Sequence, residues 1–189
     1  MSYLKKRAQN FKSQAIEHGN CFIPQLESGD NSPLDYVSNF FRSFLISNYE
    51  IDKIIIVDPY LSTAELQRLA KLFGGDSKNK LEIITKFQTF QTDDLNKKDT
   101  INKVLLIKNE LISNGLFNAI DIIHSQVSMH DRFLIFSKNG KISFIFTTGG
   151  SINQNFTDYI YLHQVSDPYF FNSIIQYYEI LKNDIKAEY

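Results

Sequence analysis

The chain has 189 residues, 20 Lys and Arg against 21 Asp and Glu, a formal charge of −1, and 43% apolar residues. That length and apolar share give one compact domain a real core and exclude intrinsic disorder. The charge balance removes the simplest electrostatic case for a nucleic-acid binder, although a local basic patch can sit on a neutral protein.

A single cysteine, Cys21, excludes a disulfide framework and a Cys-rich zinc site. The start, Met1-Ser2-Tyr3-Leu4 followed by Lys5-Lys6-Arg7, has no apolar signal core, and no window reaches the ~18–20 apolar residues of a membrane span. The expectation is a soluble, cytoplasmic protein without membrane contact. Residues 1–20 read as a basic surface helix. Phe22 to Ser32, with Pro24, Gly29 and Asp30-Asn31, reads as a loop. Ser32 then caps a helix with Pro33 in its first turn, burying Leu34, Val37, Phe40, Phe41, Phe44 and Leu45.

From residue 52 the rhythm changes. Lys53-Ile54-Ile55-Ile56-Val57 is a short apolar run of the kind buried on both faces of a sheet, and Asp58-Pro59-Tyr60 stops it. Ser62 or Thr63 caps a helix to about Phe73, closed by Gly74-Gly75. Leu81 to Phe87 predicts a strand, Asp99 to Ser113 a helix ending at Asn114-Gly115, and Ala119 to His124 a third strand. This alternation implies right-handed crossovers and parallel pairing.

Met129 to Phe136 and Ile142 to Thr147 then form a hairpin about Asn139-Gly140. Asp158 to Val165 is a further strand, and Asp167-Pro168 opens a last helix. The expected fold class is α/β, a mixed and largely parallel sheet flanked by helices. It divides into an N-terminal helical segment over 1–50 and an α/β domain over 51–189.

The chemistry-bearing residues gather in Met129-His130-Asp131-Arg132-Phe133-Leu134-Ile135-Phe136 and in Thr147-Thr148-Gly149-Gly150-Ser151-Ile152-Asn153. On a strand, His130 and Arg132 would share one face about 7 Å apart. An imidazole beside a guanidinium suits an anion: the cation holds non-bridging oxygens while the imidazole acts as nucleophile or acid. A glycine-rich turn would let the Ser151 hydroxyl and the Asn153 amide approach the same anion. The plainer readings stand beside these. His130 can be a structural histidine and Gly149-Gly150 a strand-ending bend. Asp58 can be an ordinary strand exit or a site wall. Lys5-Lys6-Arg7 and Lys97-Lys98 read as solvated faces, and the aromatic residues as core. His124 and His163 lack the spacing of metal ligands.

These residues resemble the phospholipase D superfamily, whose repeat carries His-x-Lys, four residues, Asp, and then a Gly-Ser-x-Asn turn. The match is His130-Asp131-Arg132 and Gly150-Ser151-Ile152-Asn153, and the order of elements agrees from Ile54 to about Leu181. Arg132 stands where the family has Lys, and Ser137 where it has Asp. Tyrosyl-DNA phosphodiesterases of the same superfamily also lack that Asp.

The resemblance implies metal-independent and cofactor-free phosphodiester cleavage through a phosphohistidine. In it His130 is nucleophile or general acid, Arg132 and Asn153 grip the phosphate, Ser151 assists and Asp158 orients His130. The reaction needs two such histidines and the chain offers one, so the resemblance implies a homodimer joined through the His130 face, or a heteromeric partner that supplies the second half. By analogy with single-repeat members the substrate is nucleic acid, and a place in antiviral defence follows the same analogy. The alternative is a degenerate, non-catalytic interaction module or a subunit of a larger nuclease complex.

Overall fold

The structure is a computed structural model that describes residues 20–23, 33–75, 79–87, 94–148 and 160–189. In chain order the elements are β1 (Asn20–Ile23), α1 (Pro33–Ser47), β2 (Ile51–Val57), α2 (Thr63–Phe73), β3 (Lys80–Thr85) and α3 (Asp94–Ser113). There follow β4 (Ala119–Ser125), β5 (Phe133–Lys138), β6 (Lys141–Thr148), β7 (Ile160–Gln164), α4 (Pro168–Asn183) and β8 (Ile185–Glu188). Among the described residues the strands form one sheet, ordered β1-β7-β6-β5-β2-β3-β4-β8.

The fold is α/β with a mixed sheet. Its parallel part is β2–β3–β4, the strands joined through α2 and α3, as the crossovers require. The other five pairings are antiparallel, and of these β5–β6 is a two-residue hairpin while β1–β7, β2–β5 and β4–β8 join strands distant in the chain. The parallel share is therefore smaller than the expected sheet had it, and is confined to those three strands.

The apolar run of β2 is buried on both faces by strict alternation. Ile54 and Ile56 pack under α1, α2 and α3, while Ile55 and Val57 pack under α4. β5 repeats this, Leu134 and Phe136 facing the first layer and Phe133 and Ile135 the second. The phenylalanines fill the first layer: the Phe41 ring lies 4.9 Å from that of Phe73, 5.7 Å from Phe136 and 5.8 Å from Phe146. This aromatic group is core, as the sequence implied.

Local signals set the ends of elements. Ser62 caps α2 in a reciprocal box with Glu65. A Cβ on Gly74 would meet the Ala70 carbonyl oxygen at 2.4 Å, so only glycine closes that turn. Asp167 caps α4, its carboxylate accepting from the Phe170 N–H at 2.7 Å, with Pro168 behind it. Asn139 and Gly140 both hold positive φ, 51° and 75°, as a two-residue hairpin turn demands.

Three expectations change. Asn20–Ile23, where helix and then loop were read, is an edge strand paired antiparallel with β7. Ile185–Glu188, read as nothing, is the other edge, paired with β4. α3 begins at Asp94, five residues ahead of the expected start. The helix predicted over residues 1–20 lies outside the described residues, apart from Asn20. Among the described residues no helix is long and apolar enough to cross a membrane.

Candidate active site

β2, β3 and β4 run parallel and end on one side of the sheet, the side on which ligands sit in open α/β folds. β5 enters the sheet there, with Phe133 opposite Val57, and β6 leaves there, with Thr147 opposite Phe133. That edge therefore collects Asp58 to Tyr60, Lys86, the 126–132 segment and Thr148.

His130 and Arg132 do not stand on a strand. β5 begins at Phe133, because β2 ends at Val57 and offers no rung to the residues before it. Met129 is fully buried beneath the segment while His130 and Asp131 are exposed, so the four residues form a loop that approaches the sheet edge. The shared strand face expected for His130 and Arg132 is thus replaced by two positions on a loop.

Arg132 is held from two directions. Its Nε lies 3.8 Å from Oδ1 of Asp58, and its guanidinium carbon is 5.6 Å from the centre of the Tyr60 ring. Asp58 is 2% exposed, and its Oδ1 also accepts the Tyr60 N–H at 2.9 Å, which fixes the turn after β2. At 3.8 Å the ion pair is not a hydrogen bond, and the buried Arg132 Nε has no hydrogen-bond partner among the described residues.

His130 points outward, with Nε2 3.3 Å from the Ser128 hydroxyl. The loop is braced by α4: the Tyr177 hydroxyl donates to the Ser128 carbonyl at 3.2 Å, and the Tyr177 ring meets Phe133 edge-on at 6.3 Å. Burial, then the Asp131 carboxylate, hold the Tyr177 phenol above its ordinary range, so it remains a donor.

Thr148 donates its N–H to the Arg132 carbonyl at 3.3 Å. The chain therefore enters Gly149-Gly150-Ser151-Ile152-Asn153 from a residue bonded to Arg132. Ser151, Asn153 and Asp158 themselves lie outside the described residues. Ser137 lies near the far end of β5, five residues from Arg132 or about 16 Å at strand rise. It pairs there with Lys53, so it does not reach His130.

Two residues carry more than the sequence reading gave them. Asp58, read as a strand exit, is the buried counter-charge of Arg132. Ser128 was not singled out, and a serine two residues before a histidine carries no signal by itself. Among the described residues no three His, Cys, Asp or Glu side chains converge as metal ligands would.

No family model matches the chain, and no curated protein matches it. Among solved structures it is similar to the polyphosphate kinase from Porphyromonas gingivalis, with a TM-score of 0.49 and 12% identity. The likeness covers 95% of this chain and 26% of that one, so the chain spans about a quarter of that enzyme's length. The chemical reading rests on the residues themselves. A guanidinium anchored at its inner side and an exposed imidazole two residues before it make an edge suited to a tetrahedral anion.

Proposed function

We propose that the chain is a metal-independent phosphodiesterase of the phospholipase D type, a nuclease that works as a homodimer across the His130 face. One His130 nitrogen attacks phosphorus and displaces the leaving oxygen, which takes its proton from the partner copy's imidazole. That imidazole then removes a proton from water, whose oxygen attacks phosphorus and frees the histidine. Arg132 and Asn153 hold the non-bridging oxygens, Ser151 assists, and Asp158 orients His130.

The observation that carries this reading is Arg132, fixed at the edge by Asp58 and Tyr60 two residues after an exposed imidazole. Exposure of His130 lets a second copy approach it. The reading is tested with bis(p-nitrophenyl) phosphate and single-stranded DNA in excess EDTA. Turnover by the native chain and its loss in His130→Ala are the expected results. A folded dimer that turns over neither substrate refutes the reading.

The same ion pair favours one alternative. A buried carboxylate beside Arg132 offsets its charge, which suits a non-catalytic module in which the pair only holds the loop. In that case neither His130→Ala nor Arg132→Gln changes the handling of any phosphodiester.

A further inference from the structure

Beyond Arg132 the same edge carries a second group of cations. A cleft of about 370 Å³ opens between the first turns of α3 and β8, lined by Lys97, Lys98, Asn102, His124, Lys186 and Tyr189. Three elements build it: α3 brings Lys97 and Lys98, β8 brings Lys186, and β4 brings His124, which pairs in register with Ala187. Of the described residues that line it, three are lysines and none is an acid.

Lys86 links this cleft to the first site. Its N–H donates to the Pro59 carbonyl, and its ammonium donates to the Gln126 carbonyl at 3.2 Å. The cations thus follow the sheet order from Arg132 before β5, past Lys86 after β3, to the cleft beside β4. That path crosses three inter-strand spacings, about 14 Å. On a chain of formal charge −1 this is a local concentration against a neutral background.

The side-chain types narrow the ligand. Lysine ammoniums are point charges that suit phosphate oxygens, and the cleft supplies three of them. The Tyr189 ring, with Ile101 and Leu105 beside it, offers apolar surface to bases. His124 is 4% exposed, and burial followed by Lys97, Lys186 and Lys86 pushes its pKa down to about 4, so it lines the cleft as a neutral group.

We propose that this cleft holds the backbone of a single-stranded nucleic acid whose scissile phosphate lies at Arg132. The inference deepens the proposed function and rests on it for the position of the scissile phosphate. At about 3.4 Å per stacked nucleotide, the path is covered by about four nucleotides, fewer if the strand is extended.

The test is fluorescence anisotropy of a labelled oligothymidylate of about twelve nucleotides, bound to the full chain over about 50 to 200 mM salt. Lys98 and Lys186 are exposed, so the double variant K98E/K186E disturbs no core, and K98Q/K186Q serves if charge reversal impairs folding. The expected result is affinity lowered at least about tenfold at the lowest salt. The slope of log affinity against log salt should fall by about 1.4, two contacts at ~0.7 each.

Affinity and slope unchanged in both variants overturn the proposal, and so does poly-glutamate competing as well as unlabelled oligothymidylate. Turnover of bis(p-nitrophenyl) phosphate by the native chain reports separately on the catalytic reading. Binding that responds to the lysines without any turnover leaves the cleft standing and removes the catalysis. Turnover with lysine-independent binding does the reverse.

Discussion

Asp58→Asn separates the two roles of the Arg132 ion pair. Asparagine keeps the oxygen that accepts the Tyr60 N–H and removes only the charge. At 3.8 Å and an effective dielectric near 20, the gross attraction is about 4 kcal/mol. Breaking a fully buried pair costs about 3–5 kcal/mol. Here the Arg132 side chain is 24% exposed and its Nε makes no hydrogen bond to the carboxylate, so solvent recovers part of the loss. The expected net destabilisation is about 1–2 kcal/mol, read as a lower urea midpoint at unchanged slope. The guanidinium, no longer offset, should at the same time bind inorganic phosphate several-fold more tightly by calorimetry. A loss of stability within about 0.5 kcal/mol, or weaker phosphate binding, would refute the view that Asp58 is the counter-charge of an anion-binding arginine.

Two further predictions concern the α4 face and the far end of the edge. The buried Tyr178 hydroxyl donates to Glu82 at 2.8 Å, with Lys53 and Lys182 also on that carboxylate, and burial and this bond hold the phenol well above its ordinary range. Tyr178→Phe should lower stability by about 2 kcal/mol in urea, the worth of a bond to a charged acceptor, and a change under about 0.5 kcal/mol would show Glu82 satisfied by its lysines. His124, held down to about 4 from 6.5 by burial and then by Lys97, Lys186 and Lys86, is neutral in both folded and unfolded chains above about pH 6.5. Below that the unfolded chain takes the proton first, so stability should fall as pH drops from 6.5 toward 4. The full shift is worth about 3 kcal/mol, and about 2 once salt screens the lysine share across the open cleft. Denaturation of native and His124→Asn chains across that window checks it, since parallel pH profiles would assign the loss to other groups.

Most of the scaffold was legible because its signals are local. The Ile54–Val57 run, the Ser62 and Asp167 caps and the Asn139-Gly140 turn each follow from a few adjacent residues, and each is found where those residues place it. What escaped depends on partners distant in the chain. Met129 to Phe136 reads as one strand, yet its first four residues stay off the β2 ladder because β2 ends at Val57. β1 and β8 are short edges defined by backbone pairing with β7 and β4, which no pattern in four residues announces. Lys97 and Lys98 read as a solvated face because Lys186 and Lys86, which complete the row, come from other elements. Asp58 looked like an ordinary exit because Arg132 comes only after β3 and β4 in the chain.

The ion pair that escaped the sequence reading also bears most on function. A purely structural pair between an arginine and a carboxylate buried as Asp58 is gains most from closing into hydrogen bonds, because an unsatisfied buried donor costs about 1–3 kcal/mol. This pair stays at 3.8 Å, with the Arg132 Nε unsatisfied among the described residues while Asp58 spends an oxygen on the Tyr60 N–H. Such a pair orients the guanidinium without consuming its donors. Against a rigid ring and a buried carboxylate, Arg132 loses little freedom when an anion binds, and low reorganisation is what a phosphate-gripping group needs. Arginine suits this geometry: a lysine ammonium tethered by Asp58 beside Tyr60 could not also present a flat fork outward. Arg132→Lys should therefore weaken phosphate binding, and the Asp58–Tyr60 turn is what makes arginine the better choice at this edge.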